Sequence, residues 1–347
     1  MGGPRRTRLP QRRGTPRDSR FDAGRRGPEG VPVSGFPLSL PAAINLREVG
    51  PRDGLQIEKP IPTADKLRLL ESLVAAGLRR IEATAFVSPR AVPAMADAEK
   101  VAAELHRWPE IEWSALVASP RGAVRAINAG IANVEYVVSA ADGHSQANVR
   151  RSTREATDAI PEIAAAVRKA GGRCEVIVAT AWDCPFDGPT KPARVHEVVE
   201  HAQESGVDRV CLADTIGTAT PRRIVELVES VRERVASTPI GLHMHNTRGA
   251  GLAGILAAMQ VGIVDIDASV GGLGGCPFAP GASGNVATEE LVYLCQDMAV
   301  ETGVNLGLLL RAAAAAEIAV GRTLPSNLLK AGDRARVPPR RPAGRLV

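Results

Sequence analysis

Ile240-Gly241-Leu242-His243-Met244-His245 is a short apolar run closed by two imidazoles two positions apart. Side chains alternate faces along a strand, so His243 and His245 leave it on the same side, a geometry that suits two ligands on one metal. Seven comparable runs lie elsewhere in the chain, at 44–49, 80–84, 112–117, 134–139, 174–180, 209–213 and 264–269. Segments of helical period alternate with them, near 63–76, 94–107, 120–129, 152–170, 191–205, 221–236, 249–261 and 287–301. Several of these open on Thr63, Ser119-Pro120 or Thr220-Pro221, and Gly77, Gly130, Gly171, Gly206 and Gly262 follow their ends, where a left-handed cap is expected. Eight strands in strict alternation with helices are the count of a closed (β/α)8 barrel; an open doubly wound sheet is the alternative. The polar residues favour the barrel. Glu48 and Asp53, Glu82, Asp214, and His243 with His245 fall at or just beyond the C-terminal ends of strands 1, 2, 6 and 7. Those ends converge on one mouth in a barrel, whereas an open sheet would string them along a line. A last helical stretch, 304–319, reads as a C-terminal extension.

The composition supports one large catalytic domain over 38–325, flanked by tails at 1–37 and 326–347. Aromatic residues make up 3% of the chain, so the core must come from Ala, Val, Leu and Ile, which suits buried parallel strands under Ala-rich helices. The net charge of +5 is carried by the ends: residues 1–30 contribute +6 and residues 330–347 contribute +5, leaving the body at −6. A groove for phosphate backbones needs its cations on the folded body, so no nucleic-acid partner is expected; the Arg-rich tails alone keep that reading as the lesser alternative. Both tails are rich in Pro, Gly and Arg without apolar period and read as disordered. No apolar run approaches 18 residues, so no membrane partner is expected. Five cysteines at irregular spacing, Cys174, Cys184, Cys211, Cys276 and Cys295, carry no zinc pattern and point to a reducing, cytoplasmic setting. Cys174 and Cys211 lie in apolar strands and read as small core residues.

Asp53, in the loop after strand 1, is the natural carboxylate to join the two histidines, and Glu82, Asp214 and Asn285 are further oxygen donors near the same mouth. Mixed nitrogen and oxygen ligation fits Mg²⁺ or Mn²⁺ at least as well as Zn²⁺. The run Gly271-Gly272-Leu273-Gly274-Gly275-Cys276-Pro277 lacks the spacing of a phosphate-binding loop and reads either as a plain connection or as a lid that carries a thiol over the mouth.

Several longer stretches resemble one family. Glu48-Val49-Gly50-Pro51-Arg52-Asp53-Gly54-Leu55-Gln56 is similar to the opening motif of 3-hydroxy-3-methylglutaryl-CoA lyases, and the stretch from Ser269 through Cys276 to Ala279 resembles their signature around a reactive cysteine. Gly281 to Glu289, Phe86-Val87-Ser88-Pro89 and Asp214-Thr215-Ile216-Gly217 are similar too, and the likeness spans about residues 43–320. It implies a TIM barrel and a metal-dependent retro-Claisen cleavage of 3-hydroxy-3-methylglutaryl-CoA to acetyl-CoA and acetoacetate. It also implies a divalent cation, Mg²⁺ or Mn²⁺, on Asp53, His243, His245 and Asn285, with Arg52, Glu82, Asp214, His243 and Cys276 catalytic. Arg52 would stabilise the enolate oxygen, Asp214 or His243 would serve as base, and Cys276 or Glu82 would return a proton to carbon. An acyl-CoA substrate, a place in leucine catabolism and a homo-oligomer, a dimer, complete the expectation. Ile57, Ala85 and the run Asn246-Thr247-Arg248 depart from the usual lyase pattern, which points to a larger or differently branched 3-hydroxyacyl-CoA or a 2-oxo acid as the alternative substrate.

Overall fold

Strands that carry helices on one face and a barrel lumen on the other are buried on both sides, and all six residues of the segment Cys174–Ala179 are buried. The computed structural model describes Gly2 and residues 39–235, 238–275 and 284–334. Within them eight parallel strands close into a barrel: β1 Asn45–Glu48, β2 Arg80–Phe86, β3 Glu112–Val117, β4 Asn133–Ser139, β5 Cys174–Ala179, β6 Arg209–Asp214, β7 Ile240–Met244 and β8 Asp265–Ala268. The strands neighbour one another in chain order, and β8 returns to β1 with Arg47 opposite Asp267. The expected fold class and its eight strands therefore stand.

The outer ring forms from amphipathic helices. In the helix Pro221–Arg232, Ile224, Leu227, Val228 and Val231 recur at the spacing that puts them on one face, and that face is buried. Ser119 caps the helix Pro120–Asn128 by accepting from the Gly122 N–H at 3.2 Å. Two stretches depart from expectation. The segment 152–170 is two helices, Thr153–Thr157 and Ile160–Lys169, because Pro161 has no N–H to offer the carbonyl of Thr157. The segment 94–107 keeps only Ala98–Glu104 as α-helix, with tighter turns on either side. After Leu306–Val320, the expected extension, a short helix Asn327–Ala331 is capped by Ser326, so regular structure continues past residue 325 into the stretch assigned to the C-terminal tail. Leu328 and Leu329 pack that helix against the core.

What fills the barrel beneath its mouth is charge, which the composition did not suggest. Arg47 of β1 is buried and reaches three strands: Nε and Nη2 donate to the two oxygens of Asp267 at 2.8 Å each, Nη1 to Glu135 at 2.6 Å, and Nη2 to Glu175 at 2.8 Å. Lower down, Arg80 and Arg209 both donate to Asp265 Oδ1 at 2.6 Å, and Arg209 also pairs with Glu175. Between this floor and the mouth lies a thin apolar layer of Ile177, Cys211 and Ala213 with Val137 packed against it, set apart from the main core.

Candidate active site

The loop after β1 decides where the site's charges point. Gly50–Gly54 forms one wide π-type turn, in which the N–H groups of Asp53 and Gly54 both donate to the carbonyl of Val49, at 2.7 and 3.3 Å. Pro51 has no N–H to pair, and the turn delivers Arg52 and Asp53, adjacent in sequence, together into the buried mouth. A carboxylate behind the turn holds it in place. Glu48, wholly buried, accepts from the N–H groups of Gly50 at 2.7 Å and Val270 at 2.8 Å and from the Thr288 hydroxyl at 2.6 Å, which ties the β1 loop to the β8 loop. Burial, against those three donors, pushes the Glu48 carboxyl up to about 8.

Three of the four proposed metal ligands bring ligand atoms together, and the fourth, Asn285, reaches them with its amide nitrogen. Ligand atoms of Asp53, His243 and His245 all lie within 4.8 Å of one another, and all three residues are buried. The two imidazole Nε2 atoms are 3.4 Å apart, and each is 4.0 Å from Asp53 Oδ2. Asn285 arrives from a different direction. Its segment threads between the ends of β7 and β8, with Val286 N–H on the carbonyl of Met244 at 3.0 Å and Ser269 N–H on the carbonyl of Val286 at 3.0 Å. That brings the Asn285 amide to 2.7 Å from Asp53 Oδ2. Gly274, at φ +110°, passes so close that a Cβ there would lie 2.5 Å from the Asn285 amide nitrogen, so both its conformation and its neighbours require glycine.

The electrostatics fit a cation. Burial alone would raise the Asp53 carboxyl, but Arg52 and then the two imidazoles hold it below the ordinary carboxylate range. Burial, followed by repulsion from His243, brings His245 down to about 4, so it is neutral at pH 7 and has a lone pair to give. Two imidazoles and one ionised carboxylate converging on a small buried volume are the donor set a divalent ion needs.

Arg52 lies beside this cluster. Its Nη1 donates to Asp53 Oδ1 at 2.7 Å, and its Nε is paired with Glu82 Oε2 at 2.7 Å. Gln56, which the sequence reading passed over, also donates to Asp53 Oδ1, at 2.8 Å. Glu82 is fully buried; burial, partly offset by Arg52 and reinforced by Glu135, pushes its carboxyl up to about 8. Asp214 stands apart. Ala213 faces the lumen, so Asp214 leaves β6 on the other face, and its two oxygens accept from the N–H groups of Thr218 at 3.0 Å and Ala219 at 2.8 Å. Cys276 lies outside the described residues. Of the three departures, Ala85 is buried in the core, Ile57 is exposed, and Arg248 is exposed with its guanidinium donating to the carbonyl of Ile216 at 2.7 Å.

Residues 43–315 match the family model described as HMGL-like. The chain belongs to the HMGL-like family. It is 40% identical over 301 residues, 84% of this chain and 95% of the relative, to the (R)-citramalyl-CoA lyase of Chloroflexus aurantiacus. It is 38% identical to the hydroxymethylglutaryl-CoA lyase YngG of Bacillus subtilis, over 84% of this chain and 98% of that one. The crystal structure of hydroxymethylglutaryl-CoA lyase from Pseudomonas aeruginosa superposes with a TM-score of 0.81 at 38% identity, covering 84% of this chain and 98% of that chain. Like these members of the family, the chain is a lyase. Among its described residues, no helix is long and apolar enough to cross a membrane.

Proposed function

We propose that the chain cleaves a 3-hydroxyacyl-CoA thioester by a retro-Claisen reaction, with 3-hydroxy-3-methylglutaryl-CoA as substrate and acetyl-CoA and acetoacetate as products. The observation that carries this reading is the buried convergence of Asp53, His243 and His245 beside the Arg52–Glu82 pair. Asp53, His243, His245 and Asn285 would hold Mg²⁺ or Mn²⁺. When bound, such an ion supplies Lewis acidity to the substrate hydroxyl and fixes its orientation.

The reaction asks three things of the protein. The hydroxyl on C3 must lose a proton, the C2–C3 bond must break with its electron pair moving into the thioester as an enolate, and C2 must then be protonated. Arg52, permanently charged and clamped through Nε and Nη1, provides a fixed cation for the enolate oxygen. Glu82, with its carboxyl near 8, sits beside that cation in the range where a group both accepts and donates protons near neutral pH. We assign it both transfers: it takes the hydroxyl proton and returns it to C2, so the step balances without an outside acid. His243 stays in the ligand set, and Asp214, with both oxygens on backbone amides, organises the β6 loop.

The test is acetoacetate release from 3-hydroxy-3-methylglutaryl-CoA with Mg²⁺ or Mn²⁺, abolished by EDTA and restored by metal. A second reading draws on the citramalyl-CoA lyase relative. Citramalyl-CoA keeps the tertiary hydroxyl and thioester but carries its carboxylate directly on the carbinol carbon, so cleavage gives pyruvate in place of acetoacetate. Pyruvate from that substrate with no acetoacetate from the first selects the second reading; neither product sinks both.

A further inference from the structure

His243 has two ring nitrogens, and the structure gives them different neighbours. Nε2 faces Asp53 and His245. Nδ1 lies 3.2 Å from Asp267 Oδ2, on the side of the barrel floor. Asp267 is no loose partner: Arg47 donates to both of its oxygens at 2.8 Å, and Arg47 is in turn held from across the lumen by Glu135 at 2.6 Å and Glu175 at 2.8 Å. Two guanidinium N–H groups, one on each oxygen, hold Asp267 as the anion of a bidentate ion pair. An ionised carboxylate has no proton to give, so the hydrogen in the contact with His243 must be on Nδ1. The imidazole is then left with a bare Nε2 aimed at the cluster.

We propose that Arg47 and Asp267 are positioning residues, a rigid clamp from the barrel floor that fixes His243 in its Nδ1–H tautomer and sets the affinity of the mouth for a divalent cation. The inference rests on the metal reading above. Neither residue lies near the mouth in sequence: Arg47 and Asp267 are 220 positions apart, and Asp267 is 24 from His243. Their pairing exists only because β8 closes the barrel between β7 and β1. Partners of this kind, one bond behind a ligating imidazole, typically govern about 10–100-fold in metal affinity.

Two measurements test the clamp. In the first, the full chain is labelled with ¹⁵N-histidine and held in excess Mg²⁺, and long-range ¹H–¹⁵N correlations report which nitrogen of His243 carries hydrogen, with His243→Asn used to assign the signal. Nδ1–H is expected, and Nε2–H overturns the proposal without requiring any floor variant to fold. In the second, Mn²⁺ is titrated into wild type and Asp267→Asn, with circular dichroism checking the fold of each. A carboxamide has one acceptor oxygen where Arg47 and His243 need two, so Mn²⁺ affinity should fall by roughly 10-fold or more. A merely structural Asp267 would lower the melting temperature and leave Mn²⁺ affinity unchanged, which also overturns the clamp. Wild-type protein that takes up no Mn²⁺ sinks the metal reading instead, and the tautomer measurement still decides the orientation of His243.

Discussion

The barrel holds two buried charged clusters a few residues apart, and they differ in how completely their charges are matched. In the floor, the carboxylates of Glu135, Glu175, Asp265 and Asp267 all meet at least one of Arg47, Arg80 and Arg209. In the mouth, Arg52 serves one oxygen of Asp53 and one of Glu82, Asn285 donates to Asp53 Oδ2, and that same oxygen and the two imidazole Nε2 atoms converge within 4.0 Å of one another. Every floor carboxylate thus has a guanidinium partner, although Glu135 Oε2 is buried without a hydrogen bond. The mouth instead gathers nitrogen and oxygen ligand atoms at one point, the donor set that suits a divalent cation. Buried charge by itself therefore does not mark a site; convergence of ligand atoms of the right kinds does.

The largest expected effect tests the floor. Arg47→Met removes the cation shared by three buried carboxylates, and breaking a buried ionic network from one side typically costs about 3–5 kcal/mol. Urea unfolding should report a loss of that size, and a change under about 1 kcal/mol would mean that the floor is better solvated than its burial indicates. In the mouth, Arg52→Gln should lower kcat by on the order of 10² or more, measured on protein whose fold circular dichroism verifies, since it removes enolate stabilisation. Near-normal kcat would end that role. His245→Ala should weaken Mn²⁺ binding by roughly 10-fold or more, because a direct ligand matters at least as much as the partners behind it; an unchanged titration would remove His245 from the ligand set.

The smallest effect concerns the seam between the regions. Glu48 has its carboxyl near 8 in the fold, above the ordinary value near 4.5, so the native state holds an extra proton between those two values. The stability this contributes is complete below the unfolded value and is lost as pH rises through about 8. Glu48→Gln, which mimics the protonated form, should flatten the fall in stability between pH 6 and pH 9 measured by denaturant unfolding. The two profiles should converge toward pH 4.5, where the unfolded group also holds its proton, and separate progressively up to about pH 8. A wild-type profile already flat across that range would show that the three donors around Glu48 keep it ionised.

Much of the fold was legible because its signals are local. Apolar runs, capping Ser and Thr residues, and glycines such as Gly77 and Gly206 at helix ends act over a few residues, and β3 was read at its true limits, Glu112–Val117. The break at Pro161 was equally local, and its missing N–H was a readable signal that the helical period of 152–170 masked. Of the site, His243 and His245 were legible from their spacing alone. Gln56 was not, since a glutamine three residues after an aspartate has no special pattern. Arg47, Glu135, Glu175 and Asp267 were not legible either. Glu135 and Glu175 each look like a single charge in an otherwise apolar strand, Arg47 and Asp267 share short strands with Glu48 and Asp265, and Arg47 meets its partners across 88, 128 and 220 positions.

By itself, then, the sequence determined the eight-strand alternation, the C-terminal strand ends as the place for chemistry, and the resemblance that the HMGL-like match made firm. Only the tertiary structure decided that Asp214 belongs to its own loop, that Asn285 is threaded onto Asp53, and that an ionic floor stands behind His243. The reason is reach. Propensity and period act between near neighbours in the chain, whereas the partner of a buried charge is fixed by barrel closure, which brings β8 to β1 and sets the register of every inward-facing side chain.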